Sequence, residues 1–103
     1  MSRRSAFVLR VKPERIDDYV EAHAGVWPEM LEALRGAGIR NYSIFRDGSQ
    51  VFGYFEADDL EASAAFLARQ PVCTRWQDTM AELLEERVPD GGPPSLTEIF
   101  RLD

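Results

Sequence analysis

The first patterned segment of the chain alternates between apolar and polar positions. Over Ser5–Val11, Phe7, Leu9 and Val11 fall on one side of an extended backbone, and Pro13 then ends the pattern. Alternation over such a short span is typical of a half-buried β-strand. The sequence therefore predicts a first strand at Ser5–Val11.

A helical period follows over Arg15–Arg35. Its apolar positions recur at the spacing of one helix face, at Ile16, Val20, Trp27, Leu31 and Leu34. Pro28 lies inside this pattern, where it removes a backbone donor and clashes with the preceding turn. We therefore expect a long helix that is kinked or broken near Ala24–Trp27, with Gly36 and Gly38 as candidate C-caps.

Two segments rich in β-branched and aromatic residues come next, Ile39–Arg46 and Gln50–Ala57. They flank Asp47-Gly48, a dipeptide that strongly favours a two-residue hairpin turn. We predict that the two segments pair as antiparallel strands.

The last part of the chain returns to helical spacing and then to a short apolar run. The pattern predicts helices at Leu60–Arg69 and Val72–Glu86, separated at Gln70-Pro71. A turn-rich loop at Pro89–Pro94 follows, and Leu96–Leu102 has the composition of a final strand.

This order of elements indicates an α+β fold. Strand, helix, two strands, a helix pair and a strand match a ferredoxin-like antiparallel sheet with helices on one face, in a single domain spanning 1–103. Apolar or aromatic residues occupy both sides of the predicted strands, for example at Val51, Phe52, Tyr54 and Phe55. We therefore expect a second copy of the chain to cover the other sheet face as a homodimer.

The composition narrows the class of partner. Twelve basic and eighteen acidic residues give a net charge of −6 over 103 residues, which argues against binding to nucleic acid. No segment approaches the roughly 20 apolar residues of a membrane span, and Arg3-Arg4 is not followed by the apolar core of a signal peptide. We expect a cytoplasmic protein that acts on a neutral small molecule.

His23 is the only histidine, and imidazole is the side chain that most readily exchanges protons near neutral pH. Tyr19 lies four residues earlier, so phenol and imidazole share nearly one helix face and could contact the same ligand. The residue pattern alone favours the alternative of a half-buried structural histidine.

Trp76 and Tyr42 offer an aromatic wall and a hydroxyl, a combination that suits a sugar. Ordinary core packing explains both residues equally well, because Trp76 shares its helical stripe with Met80 and Leu83. We assign Trp27 to the core or to the dimer interface.

Other chemistries find little support. One histidine and one cysteine, Cys73, stand far apart without the repeated spacing of a metal site, so we predict no metal. A single cysteine on the apolar side of a helix is usually buried packing rather than a nucleophile.

Together these residues resemble the L-rhamnose mutarotase family over nearly the whole chain. The resemblance rests on short segments in matching order and spacing: Ala6-Phe7-Val8, Tyr19 with His23, Trp27-Pro28-Glu29, Asn41-Tyr42-Ser43-Ile44-Phe45, Val72-Cys73-Thr74-Arg75-Trp76 and Glu98-Ile99-Phe100. It implies a dimeric α/β barrel that interconverts the α and β anomers of a 6-deoxyhexose without a cofactor.

The resemblance also implies roles for individual residues. His23 matches the family's proton donor, and Tyr19 and Tyr42 match tyrosines that bind the sugar. The family places two adjacent tryptophans against the sugar, whereas this chain has Trp76 followed by Gln77. Because an amide replaces a flat stacking surface, the substrate could be L-rhamnose or a sugar such as L-fucose.

Two further interpretations stay open at the level of sequence. A cofactor-independent oxygenase or related lyase could use the same ferredoxin-like dimer and a solitary histidine, since fold alone does not fix function. A non-catalytic dimer could bind a sugar without converting it.

Overall fold

The computed structural model describes residues 2–103. Three strands and four α-helices follow one another along the chain: β1 (Arg3–Arg10), a 3-10 turn (Pro13–Arg15), α1 (Ile16–Ala24), α2 (Pro28–Gly36), β2 (Arg40–Asp47), β3 (Gln50–Ala57), α3 (Leu60–Ala68) and α4 (Pro71–Ala81). The strands form an antiparallel sheet in the order β1-β3-β2. The predicted α+β class, with an antiparallel sheet and helices, is confirmed.

The long helical pattern is broken at Pro28, as predicted. The first half, α1, ends at Ala24, and α2 begins at Pro28 itself. Proline is well suited to a first helical position because the N–H that it lacks would have no intrahelical acceptor there. Trp27, just before it, has φ −57° and ψ 135°, the extended backbone that a following proline favours.

The predicted hairpin is also present, with one irregularity in β2. Gly48 in its turn has φ +62°, a left-handed conformation that glycine adopts without steric cost. The pairing shifts between Arg40 and Ser43, where a bulge leaves two residues of β2 opposite one of β3. Asn41 lies in this bulge with φ 52°, a conformation that asparagine tolerates better than most residues.

The prediction of a last strand at Leu96–Leu102 is wrong. Residues 94–103 form no strand, although the Leu96 amide donates to the Ala6 carbonyl of β1 at 2.7 Å. Ile99, Phe100 and Leu102 produced the strand-like pattern, but they are 94%, 77% and 84% exposed. No surface within the described residues buries them, so the segment lies beside β1 without forming a ladder.

The helix predicted to reach Glu86 ends earlier, at Ala81. After Ala81 the chain does not continue as a helix. Its backbone instead forms hydrogen bonds with the end of β1 and with the residues that follow β1. The Leu83 carbonyl accepts from the Lys12 amide at 2.8 Å, and the Glu85 amide donates to the Arg10 carbonyl at 3.0 Å. These bonds satisfy the polar groups that another helical turn would otherwise use.

The two faces of the sheet differ in their surroundings. The face that packs against the helices, called the covered face here, carries Ser5, Phe7, Val51, Gly53 and Phe55. The opposite face, called the open face, carries Val8, Phe45, Phe52, Tyr54 and Glu56. None of the helices within residues 2–103 is both long and apolar enough to cross a membrane.

Candidate active site

A cavity of about 450 Å³ opens between the covered face and the helices. Its volume falls in the range of roughly 300–1,000 Å³ that is usual for small-molecule sites. His23, Tyr42, Trp76 and Gln77 all line it. The same four residues and Tyr19 also line an adjoining cavity of about 40 Å³. The fold therefore brings together all five residues that the sequence singled out.

The pair on α1 has a defined geometry. The rings of Tyr19 and His23 lie one turn apart with their centroids 4.3 Å from each other. The Nδ1 atom of His23 lies 2.9 Å from the Tyr19 carbonyl oxygen. Because a carbonyl only accepts hydrogen bonds, Nδ1 must carry the hydrogen. Nε2 is then the ring nitrogen left for a ligand.

Trp76 belongs to both the core and the cavity wall. It is 7% exposed, and its ring meets the ring of Trp27 edge-on with centroids 5.1 Å apart. It also meets His23 edge-on, at 5.4 Å and an interplanar angle of 82°. The two interpretations of Trp76 from the sequence are thus compatible. Trp27, which the sequence assigned to the core or to the dimer interface, is partly buried and packs against the core.

Tyr42 reaches the cavity from β2. The bulge at Asn41 makes Tyr42 share the covered side with Ile44, while Arg40 lies opposite Glu56 of the open face. The ring of Tyr42 packs against Phe55 at 5.3 Å and against Phe7, edge-on, at 6.2 Å. Its hydroxyl group thus belongs to a side chain held by two aromatic neighbours.

Gln77 follows Trp76 on α4 and is half-buried at the wall of both cavities. A tryptophan at this position would offer an apolar plane to a ligand. The amide instead offers one acceptor and two N–H donors.

Burial shifts the proton affinities of the cavity residues. Desolvation lowers the pKa of His23 below 6.5, and the hydrogen bond with the Tyr19 carbonyl partly opposes that effect. Desolvation raises the pKa of Tyr19 to about 12. Desolvation also raises the pKa of Tyr42, although 37% of the surface of that residue is exposed. The imidazole is therefore mostly neutral, and both phenols keep their protons, at pH 7.

Sequence reasoning missed one wall of the cavity, the loop from Asp90 to Ser95. The carboxylate of Asp90 accepts from Thr74 Oγ1 and from Arg87 Nη2, each at 2.8 Å. Gly91 lies so close to the Ala64 carbonyl that a Cβ would approach it to 3.1 Å. A loop containing two glycines beside a carboxylate was the available signal, but only the folded chain shows where the loop packs.

Charged and metal-binding groups are sparse around the site. Within residues 2–103, no three histidine, cysteine or acidic side chains lie close enough together to hold a metal ion. Asp90 is the one carboxylate in the described lining of the large cavity. Aromatic rings, neutral hydroxyl groups and one imidazole suit an uncharged ligand that has both apolar faces and hydroxyl groups.

Comparisons with known proteins identify the family of this chain. A family model described as L-rhamnose mutarotase matches residues 4–102. An L-rhamnose mutarotase of Pectobacterium carotovorum subsp. carotovorum (strain PC1) is 39% identical over 104 residues, which cover 97% of this chain and 98% of that protein. An L-rhamnose mutarotase of Bacillus subtilis (strain 168) is 36% identical over 105 residues, covering 98% and 99%.

A solved structure extends the likeness to three dimensions. The crystal structure of an L-rhamnose mutarotase from Formosa agariphila matches with a TM-score of 0.76 and 30% identity, and the match covers 98% of this chain and 99% of that one. The chain belongs to the L-rhamnose mutarotase family and is therefore an isomerase.

Proposed function

We propose that this protein interconverts the α and β anomers of a 6-deoxyhexose, L-rhamnose first of all, with His23 as the proton donor. Residues 1–103 act as one mutarotase domain. The observation that carries the proposal is His23 itself, whose free Nε2 belongs to a ring lining the cavity beside Trp76 and Tyr42. We propose L-rhamnose as the substrate because the similar proteins are named L-rhamnose mutarotases.

Anomer exchange requires little machinery. The ring opens when the ring oxygen gains a proton and the anomeric hydroxyl group loses one. The aldehyde end then rotates, and the ring closes on the other face. One positioned acid and one base suffice, and no cofactor is needed. A well-placed general acid contributes about 10² to 10⁴ in rate.

The aromatic residues hold the sugar. The Tyr19 and Tyr42 hydroxyl groups keep their protons at neutral pH and can donate hydrogen bonds to sugar oxygens. The ring of Trp76 provides an apolar plane for the C–H face of the pyranose. His23 then transfers the proton, and Tyr19, Tyr42 and Trp76 bind the sugar.

L-fucose is the second candidate substrate, because Gln77 is at the cavity wall. Its amide can bond to a hydroxyl group whose orientation differs between the two sugars. A site that forms such a bond discriminates against the sugar that leaves the amide unpaired.

A homodimer is the proposed assembly. On the open face, Phe45 is 67% exposed and pairs across the strands with Phe52, which is 41% exposed. Neighbouring aromatic side chains left in water favour burial against a second copy of the same face. We expect this dimer to act in the cytoplasm, without a nucleic-acid or membrane partner.

The decisive measurement is saturation-transfer NMR of the anomeric protons of L-rhamnose, with the same concentration of each variant. His23→Ala should reduce enzymatic exchange by about 10² to 10⁴. Glu21→Ala, exposed on the same helix, is the matched control and should retain wild-type exchange. Equal exchange by His23→Ala and the wild type would remove His23 from catalysis.

The same NMR measurement, together with a sugar-binding assay and an oxygen-uptake assay, separates the other interpretations. Faster exchange of L-fucose than of L-rhamnose would keep the chemistry and change the substrate. Tight sugar binding without exchange would identify a binding protein. Oxygen uptake with a polyphenol, in place of exchange, would identify the oxygenase.

A further inference from the structure

The cavity offers few groups able to accept the proton of the anomeric hydroxyl group. The groups that titrate or carry charge around His23 are Tyr19 on α1, Tyr42 on β2, Cys73 on α4 and Asp90 in the loop. A phenol must first lose its proton to act as a base, and burial raises the pKa of both tyrosines. Burial raises the pKa of the Cys73 thiol in the same way.

Asp90 is already committed to other partners. One carboxylate oxygen accepts from Arg87 and the other from Thr74, both at 2.8 Å. These bonds hold the pKa of Asp90 below its ordinary value, which makes the carboxylate a weaker base still. The carboxylate that lines the cavity is therefore a structural anchor.

His23 remains, and its hydrogen bond decides what it can do. With Nδ1 donating to the Tyr19 carbonyl at 2.9 Å, a neutral imidazole presents a lone pair, not a proton, at Nε2. The group that is to donate a proton to the ring oxygen must first receive one. The anomeric hydroxyl group carries that proton, and it is bonded to the same carbon as the ring oxygen.

We infer that His23 is the base as well as the acid, its Nε2 relaying one proton between the two oxygens of the anomeric carbon. On opening, Nε2 takes the proton of the anomeric hydroxyl group, whose oxygen then forms the carbonyl bond. The bond from the anomeric carbon to the ring oxygen breaks, and its electron pair leaves with that oxygen. The ring oxygen takes the proton from Nε2, and the imidazole is neutral again.

Closing reverses each step after the aldehyde has rotated, so no other acid, base or co-reactant is consumed. The tyrosines donate hydrogen bonds throughout and keep their protons. This relay rests on the proposed mutarotase function and supplies the base which that function needs.

The first test is the ¹⁵N NMR spectrum of tag-free protein labelled at histidine, in which His23 gives the only imidazole signals. At pH 7.5 we expect a neutral ring with a protonated Nδ1 and a bare Nε2. A ring protonated at Nε2, or at both nitrogens, would overturn the relay.

The second test is the pH profile of kcat/KM for L-rhamnose exchange. A base that starts neutral predicts a rise through one inflection below about 6.5 and a plateau above it. A histidine that must start protonated predicts a fall over the same range, and that result would overturn the relay while leaving the mutarotase function intact. No exchange at any pH would instead overturn the proposed function.

The pH profile does not distinguish a neutral histidine from a protonated histidine that works with an ionised tyrosine, because both give a plateau. Tyrosine variants distinguish the two mechanisms. Tyr19→Phe, Tyr42→Phe and the double variant should keep the plateau and exchange much faster than His23→Ala. His23→Gln, which can form hydrogen bonds but cannot accept a proton, should be as slow as His23→Ala. At saturating L-rhamnose, a fall of kcat in either single tyrosine variant to the His23→Ala level would assign the base to that phenol.

Discussion

The covered and open faces of the sheet use the same type of residue in opposite ways. Phe7 on the covered face is 2% exposed and packs against Tyr42, whereas Phe45 on the open face is 67% exposed. A buried ring restricts the positions of the side chains that it contacts, and those side chains then define the shape of a cavity. A ring left in water provides free energy for association instead. We therefore expect the two faces to have different roles, with the candidate site on the covered face and the proposed dimer contact on the open face.

The tightest contact of the covered face should give the largest effect when it is broken. A Cβ placed on Gly53 would overlap the ring of Phe7 on the neighbouring strand, and that buried ring has little room to move. Gly53→Ala should therefore lower the free energy of unfolding by about 3 kcal/mol. Urea denaturation followed by circular dichroism measures the change.

The chain offers a matched control for this substitution. Gly25 has a negative φ, and no atom outside the adjacent residues lies within 4 Å of the position that a Cβ would take there, so Gly25→Ala should alter stability by less than about 1 kcal/mol. Combining Gly53→Ala with Phe7→Leu should cost less than the sum of the two single effects. Strict additivity would contradict the overlap as the cause.

The open face is expected to respond in association rather than in folding. Phe45→Ser with Phe52→Ser removes the exposed cross-strand pair, and we expect the dimer to weaken by about 2 kcal/mol, roughly 30-fold in dissociation constant. Light scattering over a dilution series measures this change. Val20→Ser, an exposed apolar residue on α1, is the control and should leave the dimer intact. A wild-type monomer at all concentrations would refute the assembly.

Much of this division could be predicted from the sequence, because its signals are local. Pro28 breaks a helix, and Asp47-Gly48 turns a hairpin, wherever they occur in such patterns. His23 and Tyr19 share a helix, so helical spacing alone places them together. The meeting of Tyr42 and Trp76 depends on tertiary packing, and the family resemblance predicted it where periodicity could not.

The errors have the opposite origin. Leu96–Leu102 has the composition of a strand, but a strand forms only where a neighbour supplies a ladder and a surface, and Ile99 finds neither within the described residues. The contribution of Asp90 could not be predicted because one of its partners, Thr74, lies sixteen residues earlier on α4, although the other, Arg87, is only three residues away. Local patterns carry no information about such meetings.

We expect the smallest effect from substituting two carboxylates, one on each side of the sheet, that influence how stability depends on pH. Asp90 anchors the cavity loop, and Glu56 on the open face accepts from Tyr54 at 2.7 Å and from Asn41 at 3.0 Å. Hydrogen bonds lower the pKa of both carboxyl groups, those from Arg87 and Thr74 for Asp90 and those from Asn41 and Tyr54 for Glu56. Each therefore contributes stability that is present above its ordinary pKa and is lost as pH falls through the lowered value.

Asp90→Asn and Glu56→Gln should each weaken the dependence of stability on acid, measured by urea denaturation between pH 3 and pH 7 on the same buffer series. Only Asp90→Asn should also raise KM for L-rhamnose several-fold with little change in kcat, because only that carboxylate holds a wall of the cavity. A matching rise in KM for Glu56→Gln would show that the open face reaches the site. In that case the two faces of the sheet would not act independently.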